Sequence, residues 1–399
     1  MESNQSLNFP SPPPNKPIAP LQWIKENLFS DWFNSLLTIV CIGLIYWIAK
    51  GLIVWCTTQA QWSVVSANFR LFFVGRYPLE QGWRLWLVLA MISALSGLAW
   101  GVWGRFSRTV GMAIASLSVA LAILVPVELP SKLWILSTAV LVGVGFGLGQ
   151  RLKAIRFISL SLSFLWLLSL PIALWLVGGG LRILEPVEVN LWNGLLLTVL
   201  IAVLSIVASF PLGVLLALGR QSTMPVIRWF CILYIEIIRG LPLVGILFMA
   251  QVMLPLFLPT GVSLNQVVRV IAAFVLFSAA YLAENVRGGL QSVPRGQIEA
   301  AKALGFGTPL IIILIVLPQA LRAVIPAIVG QFIGLFKDTS LVSIAGLVEL
   351  MGISRSILSQ PDFIGRNAEV YLFIGLIYWV FCYAMSQGSQ KLEKALNSD

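Results

Sequence analysis

Long apolar runs alternate with short polar joints along almost the whole chain. The runs lie near residues 34–56, 85–104, 109–128, 133–150, 157–178, 191–218, 228–257, 266–286, 309–335 and 369–387. At about 1.5 Å per helical residue, each is long enough to cross or nearly cross a hydrocarbon layer about 30 Å thick. The pattern predicts an all-α, polytopic transmembrane protein of about ten spans. Its two halves differ. Residues 34–185 hold about five plain spans with short connections and few polar groups. Residues 186–399 hold about five more, with broken spans, intramembrane charges and two long polar connections, so the chemistry should concentrate there. The opening stretch, 1–33, starts rich in Pro, Ser and Asn without an apolar core. It is expected to be a disordered cytoplasmic tail, not a cleaved signal peptide.

Composition agrees with the pattern. The 399-residue chain is 58% hydrophobic and 11% charged, where a soluble domain carries about 25% charged residues. It has no His, which removes the commonest general base and metal ligand. No catalytic residue and no metal site are expected. Cys41, Cys56, Cys231 and Cys382 sit in or beside apolar runs and are expected as buried thiols. A net charge of +10 would point to nucleic acid in a soluble protein. Here the cations sit in short loops and act as a topology signal. Lys25, Arg105, Arg151, Arg220, Arg295, Lys302 and Lys391 share one side, with Glu128, Glu185, Asp338 and Asp362 opposite, if both termini are cytoplasmic. The segment 57–84 resists this scheme. It carries Arg70, Arg76 and Arg84 among Trp62, Phe69, Phe72, Phe73, Tyr77 and Trp83, and reads as a piece lying in the membrane interface. "GVGFGLG" (143–149) lies inside an apolar run with no strand before it, so it predicts close helix packing, not nucleotide binding.

A polar, helix-forming stretch interrupts the oil between the eighth and ninth runs. Ser292 is a candidate N-cap and Pro294 suits a first turn. Arg295, Glu299 and Lys302 share one helix edge, where they can pair. Ala300, Ala301, Ala303 and Leu304 give a smooth surface of low bulk, and Gly305 suits the C′ position. This predicts an amphipathic helix near 294–304 at the cytoplasmic mouth, either an ordinary helical loop or a surface offered to another protein.

Three further groups, Glu236 with Arg239, Arg322, and Lys337 to Ser340, are candidates for a pathway or gate. Glu236 and Arg239 can pair on one helix face just before a break at Gly240 and Pro242. Arg322, between Pro318 and Pro326, can face a cavity or snorkel to the interface. Lys337 and Asp338 offer a donor and an acceptor to a zwitterion. Asp338, Thr339 or Ser340 can cap a helix over 341–351.

The run Glu299-Ala300-Ala301, three residues, Gly305, nine residues, Ile315-Val316-Leu317-Pro318 resembles the EAA motif of ABC-importer permeases at every fixed position. "YIEIIRGLPLVGILF" (234–248) and "KDTSL" (337–341) resemble signatures of the polar amino acid subfamily, although Leu241 stands where that subfamily usually has Thr. The resemblance is close over about 190–395. The added N-terminal spans make the chain similar to the long M subunit of general L-amino acid importers. The resemblance implies a type I permease core in the C-terminal half and a multi-pass protein of the bacterial inner (plasma) membrane. Glu299, Ala300, Ala301, Gly305, Leu317 and Pro318 would form the coupling element for an ATPase. It also implies a second permease subunit, giving a heterodimer, two ABC ATPase subunits and a periplasmic amino-acid-binding protein. No G-x-x-x-x-G-K-[ST] occurs in the sequence, so this chain needs no cofactor of its own and ATP and Mg belong to the ATPase. The competing class is an ion-coupled secondary amino acid transporter, whose inverted repeats and midplane carboxylates are not evident. A membrane-embedded enzyme lacks any nucleophile–base pair here.

Overall fold

The computed structural model describes residues 20–104, 115–116, 118–120, 122–123, 128–180, 182–259 and 261–397. Residues 1–19 of the expected tail, and most of the predicted span 109–128, lie outside them. Among the described residues, eight helices are long and apolar enough to cross a membrane. A ninth span arises when Pro225–Gly240 and Leu243–Phe257 are joined across their 102° bend. These coincide with the other nine predicted runs.

The chain divides into two compact units, Met1–Gln61 and Trp62–Asp399. The first contains α1 (Pro20–Leu28) and α2 (Trp32–Val54). Helix α1 stands where an irregular tail is expected. Gln22 donates to Glu26 at 2.8 Å and Asn27 to the Trp23 carbonyl at 2.9 Å, both at i,i+4 spacing that a helix satisfies. Asp31 caps α2 by accepting from Asn34 N at 2.8 Å. Helix α2 is apolar on every face and none of its residues is buried in the protein, as suits lipid contact. Cys41 is exposed there, where a buried thiol is expected; Cys231 is buried.

The second unit begins with α3 (Ser63–Ala67) and α4 (Phe69–Val74). The segment expected at the membrane interface thus forms short helices that pack in part on the core. Val64 and Phe72 are both 0% exposed, and the Phe72 ring meets Phe373 at 5.0 Å. Phe72 and Tyr77 are covered by protein, while Trp62 and Trp83 stay 38% and 45% exposed. Two of the arginines find carbonyl partners: Arg70 donates to Tyr77 O, and Arg84 to Glu185 O at 2.8 Å. Tyr77 donates to Val177 O at 2.8 Å.

Helices α5 (Trp83–Trp103), α6 (Leu129–Leu152) and α7 (Ile158–Gly178) follow. A methyl group at Gly101 would stand 2.4 Å from Phe146 O, and one at Gly149 would stand 2.6 Å from Leu98 O. Such backbone approach is what small residues permit between membrane helices. The 143–149 glycines are thus packing residues, with Gly145 and Gly149 in the contact and Gly143 and Gly147 on the open side.

Ten helices complete the unit. They are α8 (Gly194–Arg220), α9 (Pro225–Gly240), α10 (Leu243–Phe248), α11 (Leu254–Phe257), α12 (Gln266–Ser292), α13 (Arg295–Ala303), α14 (Thr308–Ile311), α15 (Leu317–Asp338), α16 (Leu350–Leu358) and α17 (Asn367–Asn397). Helix α12 is central. Its small face, with Ala279, Ala280 and Ala283 fully buried, packs against α8 and α15. Two spans of this unit contain π-helical turns, Met249–Met253 and Ile312–Val316. Gln251 in the first is held from α12: Arg269 donates to its carbonyl at 2.8 Å, and its amide donates to Gln266 O at 2.7 Å.

Three local expectations change. Ser292 ends α12 and donates to Gly289 O, so Pro294 is the N-cap of α13. A short 3-10 turn, Thr339–Ser343, follows α15 in place of a helix over 341–351. The next helix starts at Leu350 and is capped by Glu349, not by Asp338, Thr339 or Ser340.

Candidate functional site

Helix α13 is built to present a surface. Ala301 is 2% exposed and, with Ile298, packs on the core of α8, α12 and α15. Glu299, Ala300, Lys302, Ala303 and Leu304 are exposed. The predicted smooth surface therefore lacks Ala301, which anchors the helix from behind. Among the described residues no ion pair joins Arg295, Glu299 and Lys302. Gly305 has φ +84 and donates to Lys302 O at 2.9 Å, and Phe306 N donates to Ala301 O at 3.1 Å. This pair of bonds is a Schellman ending, which needs the left-handed residue that Gly supplies. Past the turn, Pro309 opens α14 and the π turn carries the chain to α15. There Leu317 packs on the same core as Ala301, and Pro318 lies exposed in the first turn.

A second constellation joins α8, α9 and α12. The predicted Glu236–Arg239 pair does not form. Arg220 bridges Glu236 at 3.0 Å and Glu284 at 3.1 Å, while Arg239 reaches Glu284 at 3.5 Å. Arg287 pairs with Glu284 through Nη2, and its Nε donates at 2.7 Å. The reason is geometric: Glu284 sits between three guanidinium groups and can serve all of them, which a neighbour on the same helix cannot. Three cations against two carboxylates leave one net positive charge. Glu284 is the missed residue. The signal was present as Glu284 and Arg287 at i,i+3, in a stretch read only as a span end.

A third constellation lies at the opposite end of α15. Glu349 is 0% exposed, and its carboxylate accepts from Met351 N at 2.8 Å and Gly352 N at 3.0 Å. Tyr378 donates to it at 3.3 Å. Burial pushes the Glu349 carboxyl up to about 7, against the downward pull of these donors and of Arg355. Nearby, Gly194 N donates to Val348 O at 3.0 Å and Leu350 N to Thr198 Oγ1 at 3.0 Å. The start of α8 is thereby tied to α16. Glu349 too escaped the sequence reading, although it is a lone acid in an apolar stretch. Beside it a hollow of about 410 Å³ is lined by Lys337, Ser340, Met351, Tyr371 and Tyr378, among others. Asp338 is not part of that lining. Arg322, in the second turn of α15, is exposed and among the described residues has no ion pair.

Comparison with known proteins gives these sites a context. The family described as binding-protein-dependent transport system inner membrane component matches residues 209–397. The inner membrane amino-acid ABC transporter permease protein YhdY of Escherichia coli (strain K12) is 36% identical over 98% of this chain and 96% of its own length. The glutamate/glutamine/aspartate/asparagine transport system permease protein BztC of Rhodobacter capsulatus is 34% identical over 98% of this chain and 96% of its own. The probable glutamine ABC transporter permease protein GlnP of Bacillus subtilis is 36% identical, but over 51% of this chain and 92% of its own.

Proposed function

The chain belongs to the inner-membrane permeases of amino-acid ABC transporters, and on that premise we propose that it supplies half of an import pathway driven by ATP hydrolysed on separate ATPase subunits. Such permeases translocate amino acids across the inner membrane and are not themselves the hydrolytic enzyme. The observation that carries the proposal is α13. Its outer side, with Glu299, Ala300 and Lys302, is free, while Ala301 and Ile298 fix it to the helices that would have to move. Closure of an ATPase dimer against α13 would push on α12 and α15 through Ala301, Gly305, Leu317 and Pro318. The partners are two ABC ATPase subunits, a second permease in a heterodimer and a periplasmic amino-acid-binding protein. Both termini face the cytoplasm. Residues 186–399 form the permease core and 34–185 an added bundle. Lys337 and Ser340 line the pathway near its outer end, with Asp338 close by. Arg322 and the Glu236–Arg220–Glu284–Arg239 network lie nearer the inner end. The similarity to BztC favours acidic amino acids and their amides as cargo.

The test is uptake in vesicles holding the chain with its partners. Wild-type uptake is expected to need ATP and to survive collapse of ion gradients. Uptake driven by an ion gradient without ATP would move the chain to the secondary transporters. Gly305→Asp places a side chain at φ +84, which costs about 1 kcal/mol or more at the turn. It should abolish co-purification of the ATPase and uptake, with normal membrane insertion. Survival of both would remove α13 from the coupling role.

A further inference from the structure

The hollow at the outer end of α15 continues an open face of that helix. Arg322, Pro326, Gly330, Gly334 and Lys337 recur at helical spacing and share that face. A methyl group at Gly330, Gly334 or Gly375 would meet nothing within 4 Å. Elsewhere the open surface of this core carries bulky apolar groups, such as Phe230, Leu233 and Ile237 on α9, which suit lipid chains. The α15 face instead has small residues with a cation near each end, and among the described residues neither cation is ion-paired. At Lys337 the face forms, with α16 and α17, an open hollow of about 410 Å³, within the range of about 300–1,000 Å³ typical of small-ligand sites.

The lining fixes the chemistry. Lys337 supplies one ammonium, and Tyr371 and Tyr378 supply two aromatic rings; the rest is mostly apolar. Glu349, the neighbouring acid, is 0% exposed and engaged by Met351 N, Gly352 N and Tyr378. It offers nothing to a ligand. We propose that this hollow is a substrate subsite in which Lys337 binds the α-carboxylate of an amino acid whose side chain is uncharged or acidic. The α-ammonium rests on the tyrosine rings. A guanidinium or lysyl side chain would meet the Lys337 charge, and Asp338, next to Lys337 in the chain, is not part of the lining. This deepens the permease reading and rests on it.

The complete importer, without its external binding protein, is titrated with L-glutamine, L-glutamate, L-arginine and L-glutamine methyl ester by calorimetry. L-Glutamine and L-glutamate should bind about tenfold or more tightly than the ester and L-arginine. Lys337→Gln should weaken L-glutamine binding by about tenfold or more, and Lys337→Arg by less than about threefold. Equal binding of ester and acid, or wild-type affinity in Lys337→Gln, overturns the proposal. So does a Lys337→Gln phenotype seen only as altered dependence of uptake on anionic lipid in the vesicles, which would make the hollow a phospholipid site. ATP-driven uptake by the wild type is scored separately. Its absence would remove the permease reading, whereas its presence with an indifferent Lys337 removes only the subsite.

Discussion

Single charged residues in this chain are explained by how completely their surroundings answer them. Glu284 is ringed by Arg220, Arg239 and Arg287, so its charge is met by three guanidinium groups. Glu349 is answered differently, by backbone N–H groups and one phenol. They do not fully replace water, which is why burial dominates and holds its carboxyl near 7. The sign follows. The folded state keeps the proton that the unfolded chain releases near 4.5, so stability is greatest below that pH and falls as pH rises through about 7. The span of the shift is worth about 3 kcal/mol. The detergent-solubilised protein should therefore melt at higher temperature at pH 5 than at pH 8. Glu349→Gln keeps the shape, cannot ionise, and should lose most of that difference. A variant with the same pH dependence as wild type would show that another group titrates.

Helix pairs follow rules of backbone approach. Helices α5 and α6 meet through Gly97, Gly101, Gly145 and Gly149, where an added methyl would lie under 3 Å from the facing backbone. Gly101→Leu should therefore drive the helices apart and cost about 3 kcal/mol, since backbone cannot repack as a side chain does. Gly143→Leu, on the open side of the same motif, should be close to neutral. Thermal melts of the two variants check this, and equal effects would undo the assignment of faces. That motif marks what sequence could reveal. A run of glycines in an apolar helix declares packing, but not which glycines touch. Likewise, the apolar runs announce about ten spans, nine of which are found among the described residues, and the Gly-Leu-Pro sequence at 240–242 announces the bend between α9 and α10. Gly305 announces its own turn. What stayed hidden depends on partners distant in sequence. Sequence spacing offers Glu236 the neighbouring Arg239, yet Glu236 pairs with Arg220 on another helix. The helix cap past α15 was assigned to the nearest polar side chains, when Glu349 was the residue in place. The aromatic and basic segment around α4 carried the composition of an interface and the position of a core element. Composition says that a ring will be covered, but not by what.

At the scale of the molecule, that segment decides how the added N-terminal spans relate to the transport core. Residues 62–399 form one compact unit, and α4 is where its two parts interlock. Phe72 sits with Leu195 at the start of α8, with Leu350 and Ile353 of α16 and with Val370 and Phe373 of α17. The contact is close enough that a methyl at Gly75 would stand 2.2 Å from Asn193 Cβ, and one at Gly194 would stand 2.5 Å from Phe72 O. Both glycines have positive φ, which lets each loop turn into the other. The same α8–α16 junction holds Thr198 and Glu349, beside the Lys337 hollow. Helices α5–α7 are therefore fastened to the end of the core where α8 begins, and GlnP matches 51% of this chain. Heating should then unfold residues 62–399 in one transition. Phe72→Ala removes a ring that is 0% exposed, a change worth about 3–5 kcal/mol. It should lower the transition and split it, with the N-terminal spans loosening first while the α8–α12 contact persists. Calorimetry of the full chain, read beside fluorescence from a probe on α7 and another on α12, distinguishes the outcomes. Two separate transitions already present in the wild type would mean that α4 rests on the core without joining it.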